Sequence, residues 1–293
     1  MQIYKHQNTS DEVNMKKLIE IFMKTNQESQ IGESKMTKTT LLRNGFCQYS
    51  LPNFNVGSLK DIELLLKQVE PELGLDTYIP SGQNARGIVR YTVKDANTHL
   101  ISPENRQGGQ YYVYGLSQQL NPDAGGKQRW FKAITHCTDG TLICNHPVIK
   151  ALTEFLIQHS ISAPSYHVEH QFIGYYPTPY ADCLVTPNTL HFDGLSHQTI
   201  TSILTLAREN VSGGEFVIAN GVAVNTPIDN VSTQDLRLFT ELPVGSGVIM
   251  DECQRGTSRP LCHSAMATRM ESAQQNSVSK RIILVSEVTP IWH

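Results

Sequence analysis

From Gly45 onward the chain is cut into short runs rich in β-branched and aromatic residues, each ended by glycine, proline or polar turns. This punctuation limits the fold more than any other feature. GFCQYSLP (45–52), GIVRYTV (87–93), QYYVYGL (110–116) and QRWFKAI (128–134) come first. YHVEHQFIGYYP (166–177), TITSILTLA (199–207), EFVIAN (215–220), SGVIMD (246–251) and KRIILVSEV (280–288) follow. Many short strands between turns predict a mainly β chain with flanking helices, α+β in class, whose two sheets meet in a jelly roll.

Three segments carry helical spacing instead. In 11–25, Val13, Leu18, Ile19, Ile21 and Phe22 recur between charges after Ser10, which predicts a packing helix. Ser58 and Asp61 have capping-box spacing ahead of Ile62, Leu64, Leu65 and Val69. HPVIKALTEFLIQH (146–159) predicts another helix, with Asn145 as cap and Pro147 in its first turn. The Asn, Gln, Ser and Lys-rich piece 26–40 has little to bury. The expected division is therefore an N-terminal helix and polar linker (1–40) followed by one β domain (41–293).

Charge excludes little: 24 Lys+Arg against 27 Asp+Glu give −3, so nothing points to nucleic acid or an anionic membrane as partner. Six cysteines without C-x-x-C pairs fit a reducing cytoplasm better than a disulfide scaffold. No window reaches the apolar length of a membrane span, and the N-terminus lacks a signal-peptide core. Oligomeric state leaves no trace.

Thr189-Leu190-His191-Phe192-Asp193-Gly194 carries the chemistry. On a strand, the period of two puts His191 and Asp193 on one face, close enough to hold one ion. His263, after Arg259-Pro260-Leu261-Cys262, would complete a two-histidine, one-carboxylate facial triad. Such a triad leaves coordination positions open and typifies non-haem Fe(II) oxygenases, although zinc fits the same donors. A keto-acid cosubstrate such as 2-oxoglutarate needs a fixed cation for its far carboxylate. Arg281 in KRIILVSEV is the candidate and Arg269 the runner-up. His167 and His170, three apart, fall on opposite strand faces and read as structural or substrate-facing. Gly125-Gly126 and Gly213-Gly214 lack phosphate-loop spacing and read as turns. G-x-S-x-G is absent.

SQQLNPDAGGKQRWF (117–131), VEHQFIGY (168–175), HFDG (191–194), RENVSGGE (208–215), CHS around His263 and KRIILVSEV, in that order, resemble bacterial 2-oxoglutarate/Fe(II) dioxygenases, the family that includes the L-isoleucine dioxygenases. The resemblance runs over about 41–289. It implies a cupin-like double-stranded β-helix, iron on His191, Asp193 and His263, and Arg281 as the oxoglutarate arginine. With Fe(II), 2-oxoglutarate and O2, it further implies hydroxylation of an sp3 carbon of a free L-amino acid, aliphatic or basic, with release of succinate and CO2. Asp193 favours hydroxylation, since related halogenating enzymes carry a small residue there. Arg129 and Glu215 lie in family-like motifs and are candidate substrate residues. Two departures stand out: Ile173 where an arginine is expected, and a long Asp193–His263 spacing that implies an inserted loop at 222–240 or 252–260. The competing readings are a peptide or carrier-bound aminoacyl substrate, or a cupin-like metal or sugar-binding module without catalysis.

Overall fold

The computed structural model describes residues 41, 44–51, 58–76, 84–106, 108–115, 128–183, 189–192, 198–251, 260–272 and 278–292. The helix expected at 11–25 and the polar piece 26–40 lie outside them. In chain order the elements are β1 (Phe46–Ser50), α1 (Leu59–Val69), β2 (Gly74–Leu75), β3 (Asn84–Lys94), β4 (Asn97–Leu100), β5 (Glu104–Arg106), β6 (Gly109–Gly115) and β7 (Gln128–Lys132). Then come α2 (Pro147–His159), β8 (Ser165–Tyr175), β9 (Ile200–Glu209), β10 (Val211–Gly213), β11 (Phe216–Asn220) and β12 (Leu236–Thr240). The last four are β13 (Ser246–Met250), β14 (Leu261–Ala265), β15 (Thr268–Met270) and β16 (Lys280–Ile291). One large antiparallel sheet runs β1-β13-β9-β16-β8-β3-β2, with β4 on β3. Smaller sheets run β12-β11-β14, β5-β6-β7 and β10-β15. Among the described residues no helix is long and apolar enough to cross a membrane.

Alternation along β16 builds two cores from one strand. Ile282, Leu284 and Val288 join the cluster beneath the helices, with Ile62, Leu65, Ile149, Leu152 and Leu156. Ile283 and Val285 point the other way and meet Phe216, Ile218, Leu261 and Ala265 of the β11-β14 sheet. A strand hydrophobic on both faces must be covered on both faces, and β16 lies between β8 and β9 in the middle of the sheet.

The helices cover the outer face. α1 buries Ile62, Leu65 and Val69, a helical i, i+3, i+7 stripe, and the expected capping box is present: Asp61 N–H donates to Ser58 Oγ (3.3 Å) and Ser58 N–H to Asp61 Oδ2 (2.6 Å). The cap of α2 is corrected. Asn145 closes a 3-10 turn at Ile143–Asn145, and His146 caps, its Nδ1 accepting from Val148 N–H at 3.3 Å. Pro147 at the first helical position leaves that duty to the residue just before it.

His170 pins α2 to the sheet. Thr153 Oγ1 donates to Ile149 O (2.8 Å), so Tyr91 O–H must donate to Thr153 (2.6 Å) and in turn accept from His170 Nε2–H (2.7 Å). His170 Nδ1 then accepts from Ser286 O–H at 2.7 Å. This reading makes His170 a structural residue. It is fully buried, and burial pushes its pKa from 6.5 down to about 3. The fold thus holds a neutral imidazole that the unfolded chain protonates below pH 6.5. Stability contributed here is intact above 6.5 and falls as pH drops toward 3, by about 1.4 kcal/mol per pH unit. Denaturant titration from pH 7 to 4 should show this extra one-proton slope in wild type relative to His170→Gln. Identical slopes would refute it.

Candidate metal centre

The short stretch 189–191 is held on both sides by backbone. Leu190 N–H donates to Thr226 O (3.0 Å), Asn225 N–H to Leu190 O (2.7 Å), and His191 and His263 exchange two bonds, at 2.9 and 3.0 Å. A mutually bonded antiparallel pair puts both side chains on the same face. Leu190 and Phe192 pack outward against Val217, Ala219 and Cys262, so His191 turns inward with His263. Their ring centroids stand 4.6 Å apart at 49°. Both imidazoles are buried, and the Phe216 ring backs that of His263 at 5.6 Å. His191 Nδ1 lies 2.9 Å from Thr189 O, a pure acceptor, so Nδ1 carries the proton and Nε2 is the nitrogen able to coordinate.

Asp193 lies outside the described residues. Among the described residues no group of three His, Cys, Asp or Glu is placed to hold a metal; two expected ligands come together. Of the two candidate insertions, 222–240 is described: 225–226 edges the histidine stretch, and Ala223 with Val224, Val231 and Leu236 covers the outer side of β11-β14. Of the other, 252–260, only Pro260 is among the described residues.

Arg281 shares the inward face with Ile283 and Val285, and is 1% exposed. Among the described residues its Nε and Nη1 have no hydrogen-bond partner. Its guanidinium lies 5.5 Å from the centroid of Tyr175, its cross-strand neighbour. Burial lowers its pKa, and Arg208 beside it adds to that, while Tyr175, Glu215 and Glu241 act the other way. Arg208 is already engaged, by Gly213 O (3.0 Å) and Glu241 (3.1 Å). Gly214, at φ +72°, lies so close that a Cβ there would meet the Arg281 guanidinium at 2.8–2.9 Å. Since Gly214 touches Arg281 and Phe216 touches His263, the guanidinium and the imidazoles flank one short stretch of backbone, roughly 7 Å long at strand rise.

Of the other expected residues, Glu215 belongs to this stretch and Arg269 does not. Arg269 is half exposed on β15 and donates to Asp182 at 3.1 Å. Glu215 is half-buried between β10 and β11, its carbonyl accepting from Met266 N–H at 2.9 Å. Arg129 lies in β7 opposite Tyr114. Sequence reading passed over Arg86, which faces inward directly opposite Ile173. The available signal was polar residues at alternate positions of NARGIVRY and VEHQFIGY, where the other strands place apolar ones. A cavity of about 520 Å3 between α2 and β3-β4 contains none of these groups, so the site is located by its donors rather than by volume.

His191 and His263 are tied together through backbone, so alanine at either position should leave the fold intact. Co(II) affinity, measured by equilibrium dialysis, is expected to fall by more than the roughly 10- to 100-fold that outer-shell losses cost. Unchanged Co(II) affinity in both variants would count against the pair as ligands.

The model of one family, 2OG-Fe dioxygenase, matches residues 67–255, which include His191 and Asp193 and stop short of His263 and Arg281. No curated protein matches the chain in sequence. Among solved structures, a bsmA homolog from Methylobium petroleophilum PM1 aligns at TM-score 0.62 and 17% identity, over 88% of this chain and 95% of that one. IDO from Bacillus thuringiensis aligns at 0.58 and 15%, over 87% and 97%. The Fe(II)/α-ketoglutarate-dependent dioxygenase TqaL aligns at 0.57 and 10%, over 99% and 93%. At these identities the likeness speaks for the fold, whereas the family match covers more than half of the chain: it belongs to the 2OG-Fe dioxygenase family, whose chemistry uses Fe(II), 2-oxoglutarate and O2.

Proposed function

We propose that this chain hydroxylates an sp3 carbon of a free L-amino acid, aliphatic or basic, in the manner of the L-isoleucine dioxygenases it resembles, on a double-stranded β-helix. His191, Asp193 and His263 would hold Fe(II), and Arg281 the far carboxylate of 2-oxoglutarate. The observation carrying this reading is the buried guanidinium. An ion out of water costs several kcal/mol unless paired, yet Arg281 has two N–H groups without a hydrogen-bond partner beside the histidine pair. A carboxylate gripped by a planar fork would satisfy both. The donor set fits iron too: two imidazoles, one with its tautomer fixed by Thr189, and a carboxylate at the alternate position.

When bound, iron and oxoglutarate supply the oxidising power, one oxygen atom leaving in succinate and the other entering the product. The protein's own residues position. Thr189 holds the His191 ring, Phe216 walls His263, Gly214 lets the backbone lie against Arg281, and Tyr175 packs under the guanidinium. Glu215 and Arg129 remain candidate substrate-pocket residues from their family-like motifs.

The test is aerobic incubation of iron-loaded protein with oxoglutarate and a panel of free L-amino acids, following succinate and product mass. One added oxygen on an amino acid, matched by succinate, is the expected result. Succinate without any modified amino acid would redirect the reading to peptide or carrier-bound substrates, and no succinate would leave a cupin-like binding module.

Arg281→Met separates binding from folding. Removing a buried charge should leave the protein's stability unchanged or raised by about 1–4 kcal/mol, while the KM for oxoglutarate rises about 10- to 100-fold through loss of charge-assisted bonds. Gly214→Ala should raise that KM as well by displacing the guanidinium. A destabilised Arg281→Met with normal oxoglutarate KM would contradict the assignment.

A further inference from the structure

The inward face of the large sheet is apolar at Ile173, Ile203, Val248, Ile283 and Val285 and, besides Arg281, carries a polar row across β3 and β8: Arg86, Gln171, Glu169 and Arg90. One end of this row is saturated. Arg90 is paired with Glu169, donates to Val113 O at 2.9 Å and stacks 5.1 Å over Tyr112, while Gln171 Nε2 donates to Glu169 at 2.6 Å. That end spends its charges tying β6 to the sheet.

Arg86 differs. Its Nη1 donates to Gln171 Oε1 at 3.0 Å and its Cζ lies 4.6 Å from the Phe131 centroid, but among the described residues its Nε has no hydrogen bond. The Asp76 carboxylate stands 3.5 Å from that Nε, longer than an N–H···O bond. Arg86 is only 8% exposed. Arg281 lies directly opposite Tyr175 in the β16-β8 pairing, and Arg86, opposite Ile173 in the β3-β8 pairing, is its diagonal neighbour, so both arginines border Tyr175. One inward face thus presents two buried cations, the first assigned above to oxoglutarate.

We infer that Arg86 receives the carboxylate of the substrate, which makes the substrate a small molecule with a free carboxylate, a free α-amino acid rather than an internal peptide residue or a carrier-bound acyl group. The inference rests on the oxygenase reading. Stacked on Phe131 and braced by Gln171, the guanidinium is fixed in plane and suited to a bidentate grip. Asp76 beside it offers the opposite charge to an ammonium, so the pair is complementary to a zwitterion. A buried site built to bond a substrate group rejects the analogue lacking that group.

The experiment measures succinate formation by iron-loaded protein with each proteinogenic L-amino acid and with its carboxamide, in wild type, Arg86→Gln and Arg86→Lys. In wild type the stimulating acid should far outperform its amide. Arg86→Gln should raise the KM for that acid about 10- to 100-fold, shrink the acid-to-amide preference, and leave the KM for oxoglutarate unchanged, with partial recovery in Arg86→Lys. Amides as effective as acids in wild type, or an unchanged acid KM in a folded Arg86→Gln, overturns the inference. If circular dichroism shows Arg86→Gln unfolded, the wild-type preference and the Arg86→Lys KM decide. Wild type that consumes oxoglutarate but is stimulated by no free acid overturns this inference together with the free-amino-acid substrate and leaves the oxygenase reading standing, whereas no oxoglutarate consumption refutes that reading too.

Discussion

Two backbone hydrogen bonds between His191 and His263 are the constraint on which the site depends. They join residues seventy-two positions apart, counted from 191 to 263, and because they form between main-chain groups they fix both imidazoles whatever the side chains are. The outward packing of Leu190 and Phe192 selects which face those imidazoles take. A slip of one residue in this register would send the histidines into the apolar outer cluster and Leu190 into the site.

The second constraint is electrostatic. Arg281 and Arg86 are buried on the inward face of the large sheet, beside aliphatic Ile173, Ile283 and Val285. Buried charges are costly and isolated ones more so: Arg86 has Asp76 at 3.5 Å, and for Arg281 the proposed counter-ion is oxoglutarate. His170 shows the opposite strategy on the helix side. There every polar atom of the Tyr91-Thr153-His170-Ser286 network has a partner, and the group is held neutral. The helix-side face of the large sheet is closed chemically, and the proposed site lies on the other.

The sequence made much of this legible because strand alternation is a local property. KRIILVSEV, TITSILTLA and YHVEHQFIGYYP were all read as strands, and each lies in the large sheet. The Ser58 box marked α1 for the same reason. What failed to show was non-local or too short. LCHSA and LRLFT form β14 and β12 only because β11 pairs with both, and five residues carry too little pattern to announce it. His146 capped α2 through a ring nitrogen, outside the usual Ser, Thr, Asp and Asn set. Arg86 escaped notice because its strand begins earlier than the apolar run, at Asn84, and because its neighbour Ile173 comes from a distant segment. The family match reaches only to residue 255, so His263 and Arg281 stand on spacing and on three-dimensional placement.

The central claim is that the His191 and His263 pair, Asp193 and the buried Arg281 form one site for Fe(II) and oxoglutarate. Its most direct test is an anaerobic titration of Fe(II)-loaded protein with 2-oxoglutarate, following the visible charge-transfer absorption that a chelated keto acid gives with Fe(II). The account predicts saturable absorption in wild type, its loss in His263→Ala and Asp193→Ala, and a shift to higher oxoglutarate concentration in Arg281→Met. Absorption that survives His263→Ala and Asp193→Ala, with an unshifted midpoint in Arg281→Met, would contradict it.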